Sequence, residues 1–152
     1  MHLVRTTFAY EEISNHLAIV GRNPLVEIYL VQFLLVALYA EMEEKIKDII
    51  LARLKLIQDQ RVAEFIFKTN ESMLKRVKKA EINDVLQKFG CGEGDVIAER
   101  LPEINLQPYF DAITNRHRVS HDDGASMTLE DFGKALPCAE HILDAVEQAL
   151  TE

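Results

Sequence analysis

Residues 23–57 read NPLVEIYLVQFLLVALYAEMEEKIKDIILARLKLI, and they open a stretch, residues 25–89, that holds neither glycine nor proline. Without the two strongest breakers of regular structure, a long helix is the simplest conformation for this segment. Asn23 is a suitable N-cap and Pro24 a suitable first helical residue, because proline has no N–H to leave unsatisfied there. From Ile28 to Ala40 the segment is apolar almost all round. Beyond Glu41 the residues Met42, Ile46, Ile49, Ile50, Leu54 and Ile57 keep to one stripe. The first half is therefore expected to be buried on several sides, by other helices or by a second subunit.

Working outward, a shorter amphipathic helix is expected around Phe8 to Val20, ending at Gly21. After the long helix come a segment from about Gln60 to Lys79, a helix Ala80–Phe89 closed by Gly90 and Gly92, and a further helix within Gly94–Leu101. The terminal segment is the clearest. Leu129, Phe132, Leu136, Ala139, Leu143, Val146 and Leu150 alternate steps of three and four, a heptad stripe that starts after a Thr128/Asp131 capping pair. Pro137 should kink this helix or split it, and Gly133 lies where the proline ring would press on the preceding turn. The chain shows no strand-like alternation, so the class is all-α, a bundle of long helices, in a single domain spanning 1–152.

The 152 residues carry a formal charge of −8, which argues against nucleic-acid binding by bulk charge. A local basic site stays open, and Lys75, Arg76, Lys78 and Lys79 form the one dense basic run. The two cysteines, Cys91 and Cys138, sit in no CxxC spacing, which suits a reducing compartment. No signal-peptide core is visible at the N-terminus. The apolar run Leu25–Ala40 is short for a membrane span and contains Glu27 and Gln32. A cytoplasmic protein without a membrane segment is expected.

The chemistry gathers on the penultimate helix. Its core stripe, Leu106, Tyr109/Phe110 and Ile113, continues by helical steps into Arg116/His117 and then Ser120/His121. An apolar face that turns cationic marks either a buried polar network or a site opening on a cleft or interface, since burying unpaired charge costs several kcal/mol. Arg116 and His121 are about 140° apart on an ideal helix, so the arginine must reach or the helix must unwind before the histidine. Asp122-Asp123-Gly124 is turn chemistry, which favours the second. Helix-end carbonyls and the two aspartates should raise the His121 imidazole above its ordinary value of about 6.5. A guanidinium beside such an imidazole suits a phosphodiester transition state.

Arg116, the polar His117 behind it, and His121 after four intervening residues resemble the Arg-x(4–6)-His motif of the HEPN (higher eukaryotes and prokaryotes nucleotide-binding) superfamily, placed as there before the last helix. LYAEMEEKIKDII, KKAEINDVLQKFG and the terminal helix are similar to the branch of RiboL-PSP and MAE-28990 HEPN proteins, a likeness covering roughly residues 25–150. The resemblance implies a metal-independent endoribonuclease that acts as a homodimer, needs no cofactor, and serves in toxin–antitoxin pairs or antiviral defence. Arg116 and His121 become its catalytic pair. Asn115 and Ser120 could support the imidazole or phosphate, or simply cap the helix. Glu41 or Glu44 could pair with Arg116, and Arg118 could touch RNA with the Lys75–Lys79 cluster, or each could be part of a solvated face. Two alternatives compete. One is a catalytically silent helical interaction module; the other is a zinc site on His117 and His121, for which no clear third ligand is in view.

Overall fold

A computed structural model of the chain describes residues 2–71, 77–119 and 126–152. Among the described residues there are seven helices and no strand: α1 (Val4–Val20), α2 (Pro24–Leu54), α3 (Gln60–Glu71), α4 (Lys79–Lys88), α5 (Val96–Arg100), α6 (Gln107–Val119) and α7 (Leu129–Thr151). The chain is all-α. It falls into two compact units, Met1–Glu41 with Asn105–Glu140 and Met42–Ile104 with His141–Glu152, so that α2 and α7 each contribute to both.

In the second unit α2 buries the expected stripe Met42, Ile46, Ile49, Ile50 and Leu54, while Ile57, just past the helix, is only half-buried. Asn83 on α4 is buried and accounts for both ends of its amide. It donates to Asp95 Oδ1 at 2.9 Å and accepts the Ile97 N–H at 3.1 Å. Asp95 also caps α5 through the Ala98 N–H and pairs with Lys79. Burial pushes the Asp95 carboxyl upward, but Lys79, Asn83 and the Ala98 N–H outweigh it and hold the group below its ordinary value.

In the first unit the chain itself covers only part of the apolar half of the long helix. Val31, Leu34, Leu35 and Leu38 are buried, but Leu25, Val26, Tyr29, Phe33 and Val36 stand exposed on α2. The apolar half of α2 thus covers itself on one side only within the chain. By length and composition α2 is also apolar enough to cross a membrane, with a mean hydropathy of 1.7 over its best window. A core helix satisfies the same measure, and 39% of that window is buried.

α1 starts at Val4, a full turn earlier than the pattern suggested. Leu3 stands at the cap position and offers no side-chain acceptor. Glu41 of α2 supplies it instead: one carboxylate oxygen accepts the Arg5 N–H at 3.1 Å, and the other accepts the Thr6 N–H at 2.8 Å and the Thr6 hydroxyl at 2.6 Å. Glu140 of α7 accepts the Leu3 N–H at 3.1 Å. Two carboxylates from other helices therefore hold the orphan donors and the positive end of α1.

α7 runs through Pro137 as one helix. All seven residues of its heptad stripe are buried. Thr128 Oγ1 accepts the Asp131 N–H at 3.1 Å and donates to Asp131 Oδ2 at 2.8 Å, so the capping pair closes side chain to side chain. Gly133 has a reason beyond Pro137. A Cβ built there would lie 2.8 Å from Cζ of Tyr10 and closer still to its hydroxyl oxygen, because the Tyr10 ring packs onto α7 with its centroid 5.9 Å from that of Phe132. Gly133→Ala should therefore destabilise the protein. An exposed helical site would gain up to about 1 kcal/mol from alanine, whereas forcing Tyr10 off its seat costs about 1–3 kcal/mol. Urea unfolding of Gly133→Ala beside Gly133→Ala/Tyr10→Ala checks this: adding the second change should restore the helical gain of alanine at residue 133, measured relative to Tyr10→Ala.

Candidate functional site

α6 begins behind Asn105, whose Oδ1 accepts the Gln107 N–H at 3.0 Å, and Leu106, Tyr109, Ala112 and Ile113 form its buried face. The stripe then changes character as the sequence indicated. Arg116 is half-buried, and its guanidinium carbon sits 4.2 Å from the centroid of the Tyr39 ring of α2. A planar cation on the face of a mostly buried aromatic ring is attracted by the ring's quadrupole and held in one plane. Tyr39 carried no signal in the sequence beyond its place in an apolar run, so the shelf beneath Arg116 went unread.

Glu41 lies two residues past Tyr39, and its carboxylate is committed to the start of α1. Burial raises it, and the Thr6 hydroxyl, the Thr6 and Arg5 N–H groups and the Arg5 charge together hold it below its ordinary value. Its Arg5 ion pair, at 3.8 Å with Arg5 mostly exposed, adds little. Glu44, Lys78 and Lys79 belong to the second unit. There Lys79 pairs with Asp95, and Lys78 opens α4 with its N–H donated to Glu81. His117 and Arg118 are exposed at the end of α6. Ser120, His121, Lys75 and Arg76 lie outside the described residues, as do Asp122, Asp123 and Gly124.

Asn115 is a bridge. Its Nδ2 donates to the Asp111 carbonyl at 3.0 Å, and its Oδ1 accepts both the N–H and the hydroxyl of Ser126, at 3.1 and 3.0 Å. The end of α6 is thereby tied to the residue that leads into α7, on either side of the stretch containing His121. Beside this tie a cleft of about 350 Å³ opens between α6 and the start of α7, lined by Pro108, Asp111 and Asn115 from one and by Met127, Asp131 and Lys134 from the other. Among the described residues no group of three or more His, Cys, Asp or Glu side chains could hold a metal ion. Both cysteines are free, their thiols pushed up by burial.

The whole length from residue 5 to residue 152 matches the family model described as RiboL-PSP-HEPN. The chain belongs to the RiboL-PSP-HEPN family. The match reaches twenty residues further toward the N-terminus than the resemblance read from the sequence, so α1, with its Glu41 cap, is part of the family domain. Neither a curated protein nor a solved structure matches this RiboL-PSP-HEPN chain significantly.

Proposed function

We propose that this RiboL-PSP-HEPN protein is a metal-independent endoribonuclease of the cytoplasm that works as a homodimer, with Arg116 and His121 as its catalytic pair. The observation that carries the reading is the placement of Arg116: half-buried at the end of the penultimate helix, laid on the Tyr39 ring, five residues before His121. In this reaction the RNA 2′-hydroxyl attacks the adjacent phosphorus, and the bond to the 5′-oxygen of the next nucleotide breaks. The products are a 2′,3′-cyclic phosphate and a free 5′-hydroxyl. His121 transfers a proton at one of the two oxygens, and Arg116 binds the phosphate and stabilises the charge that builds on it.

The exposed apolar row Leu25, Tyr29, Phe33 and Val36 on α2 supports the dimer, since a second copy covers such a face by two-fold symmetry. That row equally favours the second reading, a silent interaction module. Incubating the purified protein with single-stranded RNA in EDTA separates them: the nuclease yields fragments with cyclic phosphate ends, and the module sediments as a dimer without cutting. A monomer at micromolar concentration would remove the dimer from both.

A further inference from the structure

The cleft beside Asn115 has the chemistry of a base-binding slot rather than a phosphate site. Its apolar parts are Pro108 on α6 and the buried Met127. Its charged parts are two carboxylates, Asp111 and Asp131, and one ammonium, Lys134, which pairs with Glu130 at 3.1 Å and with Asp131 at 3.4 Å and has a further N–H to donate. Asp111 Oδ1 accepts Gln107 Nε2 at 2.7 Å, while its Oδ2 takes no bond among the described residues. Asp131 is held ionised, below its ordinary value, first by the Thr128 hydroxyl and then by Lys134. A phosphate entering here meets two negative charges. A flat ring that offers N–H donors to a carboxylate and a carbonyl oxygen to an ammonium meets complementary partners at each edge.

Among the four RNA bases guanine combines these features, with adjacent N1–H and N2–H₂ donors and the O6 acceptor. Uracil presents one N–H between two carbonyls, and adenine and cytosine present an amino group beside an unprotonated ring nitrogen. The volume, about 350 Å³, is at the lower end for ligand sites, fit for one nucleoside. Its position also fits a substrate strand. Pro108, Asp111 and Asn115 follow one another at steps of three and four on α6, the next step is Arg118, and Arg116 adjoins Asn115. A base in the cleft would leave its phosphate toward the end of α6, the end that carries Arg116 and Arg118.

We infer that this cleft is the guanine-selective base subsite of the enzyme, a conclusion that rests on the nuclease reading for its substrate but on the cleft's own chemistry for its selectivity. The test titrates the full-length protein with the four ribonucleoside 5′-monophosphates and with inosine monophosphate, followed by NMR, alongside cleavage of a mixed-sequence RNA. Guanosine monophosphate should bind at least tenfold more tightly than uridine monophosphate and shift the resonances of Asp111 and Met127. Inosine monophosphate, which lacks the 2-amino group, should bind more weakly. Asp111→Asn, at an exposed position, should lose about tenfold or more for the guanine nucleotide and little for the uracil one. Equal binding of all four, or none at the cleft, overturns the inference. Selective binding without RNA cleavage upholds the subsite and sinks the nuclease; cleavage with neither binding selectivity nor a guanine beside the cut does the reverse.

Discussion

Arg116→Ala is expected to lower the rate of RNA cleavage by a factor of about 100–1000 or more, the effect of removing one preorganised donor from a charge-building transition state. His121→Ala is expected to cost about 100–10,000-fold, as for the loss of a general acid–base. Both should leave the helical circular dichroism in place; Arg116 is half-buried and stands outside the fully buried core. The informative companion is Arg116→Lys. Lysine keeps the charge but brings a compact ammonium in place of a plane that both lies on Tyr39 and presents parallel donors to a phosphate. Activity should therefore stay near that of the alanine variant, whereas Tyr39→Phe, which keeps the ring under the guanidinium, should stay near wild type. Single-turnover cleavage in EDTA measures all four, and full activity in either alanine variant would refute the assignment.

The second large effect is on stability. Glu41→Ala should lower the unfolding free energy by about 3 kcal/mol or more, since bonds to a buried charged group contribute about 1.5–3 kcal/mol each and truncation leaves N–H donors without an acceptor. Against a typical total of about 5–15 kcal/mol that is a large share. Glu41→Gln keeps the shape but not the charge and should cost less. The pH dependence distinguishes them from an ordinary packing loss. Because the folded carboxyl titrates below its unfolded value of 4.5, its contribution is complete above 4.5 and disappears as the pH falls through the folded value. The gap between wild type and Glu41→Gln should accordingly narrow in acid. Urea titrations at neutral pH and near pH 3 read it directly, with subtraction removing the parallel effects of Asp95 and Asp131.

What the sequence disclosed follows from how local each cause is. The α7 stripe and the start of α7 depend on neighbours within one or two turns, and both are visible as spacing. The passage from apolar residues to Arg116 on α6 is visible for the same reason. Gly133 was legible only in part, because its second reason, the Tyr10 ring, arrives from a helix more than a hundred residues away in the chain. The start of α1 was not legible at all: a run beginning Leu3-Val4-Arg5 has no capping residue of its own, and the acceptor comes from Glu41. The row on α2 was legible as a face that needs cover, by other helices or by a second subunit, but apolarity records what a surface favours and not whether the same chain supplies the cover. Asn115 was seen as a group for the imidazole, the phosphate or the helix end. Its hydrogen bonds to Ser126 make it a tie between helices, a role that needs the far side of a turn to be known.

The capture of α1 by two foreign carboxylates reverses the usual order in which a helix frays. The first amides of a helix have no intrahelical acceptor and commonly exchange readily with solvent deuterium. Here Arg5 and Thr6 are anchored while Ile19 and Val20 stand in water. This first helix should therefore unzip from its interior-facing sequence end backward, and deuterium uptake should travel toward the beginning of the polypeptide rather than away from it.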